Sequence, residues 1–545
     1  MSLSPKEHLD KKLNSKEHME QFEEGENYKK GKKVERKKYQ YNNKNILCLI
    51  ILFSFLTILY FLFLNHFFPK EFKNSTSKKE IKSQDNKSTI PNSNDLYSIA
   101  SFESNPHLHT EFIFNLLNNY NEINLTNFER NLKIIVQKIY NIINNKKDNE
   151  DYYKILSTIY GAFLADSMGS FCEFTPFNKN NHLKIFSKDN SNIFKPGQVT
   201  DDSEMAMSLA YGVMDNAKIN ELNENLIYYY YLIWLSSNPL DIGITTRKAL
   251  NIIKLDKNNN IKSNIFTEKI KNKIDELSHD SLANGFLMRI SPFLCWFYML
   301  NRNYIKEILK TKECDKYYEL YSKILFQIEK DSQLTHPNRE NAVSGAIFTF
   351  MGLCAMEQKY SGKEILSMVE ILLSNNIFDT KKEEKILKNH FIKIMSEIRK
   401  EDFNEDIYFG NLNHLMGYYL HSFKLTLYYL YHIDEMKNNI NIKEIYNKII
   451  FSICDFGGDT DTNAAIVGMI LGPLIGIQNF DDKYLNTFLN FYSKKRIIYT
   501  NAFIYFYAKY LIEINNRNPN DKVKFGEKIN FNFYKMVYDF LFKKL

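Results

Sequence analysis

No C-x-x-C pair occurs among the six cysteines of this 545-residue chain, Cys48, Cys172, Cys295, Cys314, Cys354 and Cys454. Their spacing proposes neither a metal knuckle nor a disulfide framework, and most sit among apolar residues, so they read as buried free thiols. Charge of one sign is also scarce. The formal net charge is +7, and residues 1–44 hold 12 Lys/Arg against 8 Asp/Glu, which leaves +3 for everything that follows. A nearly neutral body has no electrostatic footprint for nucleic acid, and its scattered lysines describe a solvated face. Runs that alternate apolar and polar residues at strand spacing are few, which argues against a β-rich domain.

What is present is bulk. A mass of 64.6 kDa with 44% apolar residues has room for one large core plus accessory segments and is globular in balance. Asn- and Lys-rich stretches such as 141–147 and 178–181 are expected on loops and surfaces.

One long apolar run interrupts the polar N-terminal region. Residues 46–64 read ILCLIILFSFLTILYFLFL, without a charge and long enough to span a bilayer core. The sequence therefore predicts a transmembrane anchor over 45–68, after a basic, disordered tail over 1–44 and before a flexible Lys/Ser/Asn-rich tether over 69–98. Residues 29–44 carry eight basic side chains and one acid, a bias that puts the N-terminus in the cytosol. The C-terminal domain would then be lumenal or extracellular, as in a type II single-pass protein, and the lipid bilayer is an expected partner through 46–64. Asn74, Asn86 and Asn124 stand in N-glycosylation acceptor patterns. A helical collar is expected over 99–151, and the main domain over 152–545.

Two acidic motifs carry the chemistry. Gly197-Gln198-Val199-Thr200-Asp201-Asp202-Ser203-Glu204 and, far downstream, Gly457-Gly458-Asp459-Thr460-Asp461-Thr462 each lead into an apolar helix. Asp459 and Asp461 are two apart, about 200° of helical rotation, so both reach one site only from a loop or from the first residues of a helix. Gly457 and Gly458 supply that freedom. Thr200 or Asp201 at one start, and Thr460, Asp461 or Thr462 at the other, are candidate N-caps, so capping alone is the plain explanation of each motif. If the four carboxylates meet, however, they repel one another unless protonated or neutralised, and an all-oxygen set with threonine hydroxyls suits magnesium better than zinc.

From Tyr152 onward apolar residues recur three and four apart, which predicts an all-α domain. Gly161, Ala165 and Gly169 form one stripe of small residues, and Ala464, Gly468 and Gly472 another, each permitting close backbone approach. Pro473 inside the second stripe predicts a kink or helix end. Asp166, a carboxylate within a small and apolar stripe, needs partners and is expected to support the cleft from behind its ligands.

Five segments in order resemble the ADP-ribosylglycohydrolases. They are Gly161 to Gly169 with Glu173, Thr200-Asp201-Asp202, Ala283-Asn284-Gly285-Phe286-Leu287-Met288-Arg289, Thr335-His336-Pro337, and Gly457 to Thr462. Ala165 stands where that family usually has Gly, and Ser203 where Thr is common; insertions over 254–272 and 380–402 make the cleft rim unpredictable. The resemblance implies an orthogonal all-α bundle with two Mg2+ ions at the base of an ADP-ribose cleft. It carries metal ligation to Thr200, Asp201, Asp202, Asp459, Asp461 and Thr462, acid-base chemistry to Glu173 or Asp202, and substrate contact to Asn284, Gly285, Met288, Arg289 and His336. A capping or surface-pairing role for Arg289, and an ordinary loop position for His336, are the plain alternatives.

The implied activity is magnesium-dependent hydrolysis of the bond between ADP-ribose and a protein side chain or related conjugate, with the ADP-ribosylated protein as partner. A catalytically silent ADP-ribose binder and a structural, crystallin-like member of the family are the competing expectations.

Overall fold

The computed structural model describes residues 125–187, 194–216, 220–253, 265–515 and 540–541. Among them the sole β feature is an isolated antiparallel bridge between Ala283 and Tyr418; everything else regular is helical. In chain order the helices are α1 (Leu125–Asn144), α2 (Glu150–Gly169), α3 (Asp201–Asp215), α4 (Glu224–Ser236), α5 (Ile244–Leu250) and α6 (Glu268–Ser278). A 3-10 turn over Asn284–Arg289 precedes α7 (Ser291–Thr311), α8 (Cys314–Ser332), α9 (Arg339–Met356), α10 (Gly362–Leu373), α11 (Ile377–Thr380) and α12 (Lys382–Ile398). The chain then forms α13 (Glu405–Phe409), α14 (Tyr419–Asn439), α15 (Ile442–Phe456), α16 (Thr460–Ile475), α17 (Asp482–Asn490) and α18 (Ile504–Asn515). The basic tail, the predicted anchor over 46–64, the tether and Cys48 lie outside the described residues, and no described helix is long and apolar enough to cross a membrane.

The centre of the domain is the pair α2 and α16, whose small-residue stripes face each other. A Cβ added to Gly161 would lie 2.5 Å from the Gly468 carbonyl oxygen and 2.9 Å from Gly472 Cα, and one on Gly169 would lie 2.6 Å from Asp461 Cα. Residue numbers rise along one helix as they fall along the other, so the two run antiparallel with backbone against backbone. Side chains of any size would hold them apart. Tyr446, buried on α15, fixes the contact by donating its hydroxyl to the Gly161 carbonyl at 2.7 Å. This antiparallel approach delivers the C-terminal end of α2 to the N-terminal end of α16, where the second acidic motif begins.

Surrounding helices enclose that pair. α9 is buried on all sides, as its unbroken apolar and small sequence from Ala342 to Met356 requires. The strongly amphipathic α1 buries Phe128, Leu132, Ile135 and Ile139 in the same core cluster as α2 and α16, and Asn131 donates to the Phe540 carbonyl at 2.7 Å. Of the collar expected over 99–151, residues 99–124 lie outside the described residues. Within the Lys-rich insertion over 380–402, α12 places Leu387, Phe391, Ile394 and Met395 against the core. α16 runs through Pro473 and ends at Ile475, two residues beyond, where Gly476 takes a φ of 84°. Cys172, Cys295, Cys354 and Cys454 are buried free thiols, and Cys314 is a partly exposed one.

Candidate metal centre

The first acidic motif opens α3. Thr200 is its N-cap, accepting weakly from the Asp202 amide at 3.4 Å, while the Thr200 hydroxyl and amide donate to Asp166 at 2.9 and 3.1 Å. Asp166, fully buried on α2, also receives the Ser203 hydroxyl and amide. A carboxylate that satisfied is a bracket: it holds the start of α3 against α2 and orients Asp202, whose Oδ2 lies 3.0 Å from Thr200 Oγ1 and accepts from Thr462 Oγ1 at 3.3 Å. Ser203, the departure from Thr, retains the hydroxyl that the bracket uses.

The second motif opens α16, with Asp459 as the N-cap residue and Thr460 the first residue of the helix. Gly457 and Gly458 adopt φ of 76° and 82°, and the loop after α2 pairs with them through Phe174 N–H to Gly458 O and Gly458 N–H to Thr175 O, both 2.9 Å. A side chain on Gly457 would strike the Thr175 carbonyl. This reciprocal pairing brings Glu173 beside the acidic loop.

The result is two groups of three carboxylates, Asp166 with Asp202 and Asp461, and Glu173 with Asp459 and Asp461, each with ligand atoms within 4.8 Å of one another. Asp461 belongs to both. Asp202 Oδ1 is buried with no hydrogen-bond partner among the described residues. Thr200, Asp201, Asp202, Asp459, Asp461 and Thr462 are all buried. Burial and mutual repulsion push the carboxyls of Asp201, Asp202 and Asp461 well above the usual carboxylate range. Glu173 is raised to about 9 by burial first and then by the charges of Asp459, Asp241 and Asp201. Asp459 is raised by burial, opposed by bonds from Asn284 and Thr462. Such a set is held at a cost unless protons or a cation neutralise it, and an orphaned buried oxygen within an all-oxygen donor set fits a hard divalent ion.

The other predicted residues fall into two layers. Asn284 lies at the centre itself, its Nδ2 donating to Asp459 Oδ2 at 2.6 Å while its amide donates to the Gly417 carbonyl at 2.8 Å. Gly285 follows on the 3-10 turn, packed so closely on His336 that a Cβ would be 3.0 Å from His336 Cε1. Met288 is buried on the same turn. Arg289 is fully buried, with Nε on Asp331 Oδ2 at 3.0 Å, Nη1 on Thr335 Oγ1 at 2.8 Å and Nη2 on the Asp331 carbonyl at 3.0 Å. Its guanidinium is committed inside the fold, beneath the turn.

Asp241 escaped the sequence reading. It sits half-buried in the loop between α4 and α5, and its charge acts on Glu173, Asp201 and Asp459. Two residues on, the Gly243 amide donates to Asp201 Oδ2 at 3.4 Å. Asn238-Pro239-Leu240-Asp241 has turn composition and a single acid, so no local pattern marks it. Phe174 beside Glu173, Leu240 beside Asp241 and Ile244 beside Gly243 are exposed apolar side chains, as is Leu415.

The sequence profile of the ADP-ribosylglycohydrolase family matches residues 148–505. The chain belongs to that family. It is 26% identical over 331 residues to the L543 protein of Acanthamoeba polyphaga mimivirus, provisionally named an ADP-ribosyl glycohydrolase, covering 58% of this chain and 86% of the viral one. A shorter stretch of 61 residues is 39% identical to the ADP-ribosyl-dinitrogen reductase glycohydrolase of Rhodospirillum rubrum, covering 10% of this chain and 18% of that one. A solved chain titled ADP-ribosylglycohydrolase-related protein complex superposes with a TM-score of 0.42 at 14% identity, over 66% of this chain and 99% of its own length.

Proposed function

We propose that this ADP-ribosylglycohydrolase is a membrane-anchored, magnesium-dependent enzyme that releases ADP-ribose from a modified protein side chain or a related ADP-ribosyl conjugate. The observation that carries the reading is the pair of carboxylate groups sharing Asp461, with the buried Asp202 Oδ1 left without a hydrogen-bond partner among the described residues. Thr200, Asp201 and Asp202 with Asp459, Asp461 and Thr462 would hold two Mg2+ ions, which when bound would fix ribose hydroxyls and activate a water.

The chain's own residues do the rest. Asp166 and Asn284 hold Asp202 and Asp459 in place through the bonds described above. Glu173, half-buried and bonded to Asp461, is positioned to hold a proton at its carboxyl oxygen and pass it to a leaving group or take it from water. Asp202 is the other candidate for that role. Cleavage at an anomeric carbon passes through an oxocarbenium-like state, which the surrounding carboxylates stabilise. The anchor is assigned to 46–64 and the catalytic domain to the lumenal or extracellular side on the basis of the apolar run and the basic flank.

The test is release of ADP-ribose by the purified full chain from peptides carrying ADP-ribosyl arginine or ADP-ribosyl serine, with magnesium and after chelation. Magnesium-dependent release supports the reading. Saturable ADP-ribose binding with no release from any conjugate would replace it with a silent binder.

A further inference from the structure

Beneath the turn that carries Asn284 and Gly285 lies a buried polar relay that the chemistry of the acidic centre does not use. Asp331 Oδ1 accepts from Tyr231 at 2.6 Å and Asp331 Oδ2 from Arg289 Nε at 3.0 Å; the Tyr231 ring lies 4.5 Å from the guanidinium carbon. Arg289 Nη1 donates to Thr335 Oγ1 at 2.8 Å, and Thr335 Oγ1 lies 2.8 Å from His336 Nδ1. Arg289, Asp331 and Thr335 are completely buried, and His336 nearly so.

The direction of each proton follows from which groups can accept. A guanidinium has donors only, so Thr335 Oγ1 receives from Arg289 and keeps its own hydrogen for another acceptor. The neighbour placed to take it is His336 Nδ1. Burial and the adjacent Arg289 charge keep the imidazole neutral. One ring nitrogen therefore accepts and the other carries the hydrogen. The edge of the ring bearing Nε2 faces the turn, where a Cβ on Gly285 would lie 3.1 Å from it.

We infer that the Asp331–Arg289–Thr335 chain sets the tautomer of His336, so that Nε2–H is presented as a donor to an oxygen of the ADP-ribosyl group lying over the Asn284–Gly285 turn. Arg289 and Thr335 are positioning residues in this scheme: neither touches the substrate, and both act through His336. The opposite tautomer would point a lone pair at an anionic diphosphate or a ribose oxygen and repel the former. The inference rests on the proposed ADP-ribosyl substrate for the identity of the acceptor, but the tautomer itself is a property of the protein alone.

Two measurements on the full chain separate these parts. Selective 15N-histidine labelling, with His336 assigned by its loss in His336→Gln, should show protonated Nε2 and unprotonated Nδ1 in the wild type. Thr335→Val should disturb that pattern and Thr335→Ser should restore it. Calorimetry with free ADP-ribose should show Thr335→Val weakening binding by about tenfold, the effect of losing one hydrogen bond to a charged group, with Thr335→Ser close to wild type. In a His336→Gln background, where no tautomer exists, adding Thr335→Val should produce no further loss. A wild-type spectrum with protonated Nδ1, or a Thr335→Val protein that stays folded with tautomer and affinity unchanged, overturns the inference. If Thr335→Val fails to fold, the wild-type spectrum alone decides the tautomer. Absence of any ADP-ribose binding beside a Thr335-dependent Nε2–H signal would remove the proposed substrate and leave the relay standing.

Discussion

Thr460 donates its hydroxyl to the Gly169 carbonyl at 2.7 Å, so the first residue of α16 is tied to the last residue of α2. The two are 291 positions apart in the chain. Through this bond and the glycine contacts behind it, a helix from the domain's beginning and one near its end meet where the carboxylates converge.

That meeting depends on the absence of side chains. Gly161→Val should destabilise the protein by about 3 kcal/mol or more, since the added atoms would press on the Gly468 carbonyl and Gly472 Cα with no flexible group to yield. Thermal or denaturant unfolding checks this; a loss below about 1 kcal/mol would mean the helices part easily.

Asp461→Asn should lower ADP-ribosyl hydrolysis by about 100-fold or more, because it alters the carboxylate common to both groups. The same change should leave the cation-free protein as stable as the wild type or more so, having removed a buried charge among like charges. Magnesium-dependent thermal stabilisation should shrink with it. Loss of activity with full retention of that stabilisation would place the cations elsewhere.

Glu173 makes the cation-free protein sensitive to pH. Its carboxyl, ordinarily near 4.5, is raised to about 9 in the fold, and that of Asp166 from 3.8 to about 7, chiefly by burial. Between those values the folded state holds protons that the unfolded chain has released, so their contribution is fully present at low pH and is lost as pH rises toward 9. Chelated protein should therefore unfold at progressively lower temperature from pH 5 to pH 9 on this account. Saturating magnesium should flatten the trend; an unchanged slope would show that no cation relieves these carboxylates.

Glu173→Gln discriminates between the candidate proton-transfer groups. If Glu173 serves, turnover should fall by about 100-fold or more with ADP-ribose affinity within a few-fold, the range general acid-base catalysis supplies. Near-normal turnover would assign the role to Asp202.

Arg496 carries a purely structural prediction. It pairs with Glu204 on the first turn of α3 and donates to the Ser237 carbonyl at 3.1 Å, while Glu204 Oε2 also accepts from Trp234 Nε1 at 2.9 Å. Arg496→Met should destabilise by about 3 kcal/mol, because it leaves a buried carboxylate without its cation. Replacing both partners by apolar residues should recover part of that loss, as measured by denaturant unfolding.

Much of the centre could be read from the chain because its donors come in short runs. Asp201-Asp202 and Asp459-Thr460-Asp461 announce themselves by composition, and the two-residue spacing of Asp459 and Asp461 already required a loop or a helix start; both pairs are found at helix starts. The small-residue stripes were equally plain, being regular at helical spacing. Asp241 was not, since it contributes one acid from a turn with no repeating pattern. The inward bonds of Arg289 were not legible for a related reason: a matched segment shows which residue is present but not which groups its side chain meets.

The sequence alone determined helical class, the oxygen character of the donor set and the small surfaces that allow helices to touch, all of which depend on residue type and near-neighbour spacing. Only tertiary structure decided that one stripe meets the other antiparallel, that Asp461 is shared between two groups, and that Arg289 turns inward to Asp331 and Thr335. Those outcomes depend on distances between residues from 42 to 291 positions apart, set by how backbones and side chains fill space when the whole core packs at once.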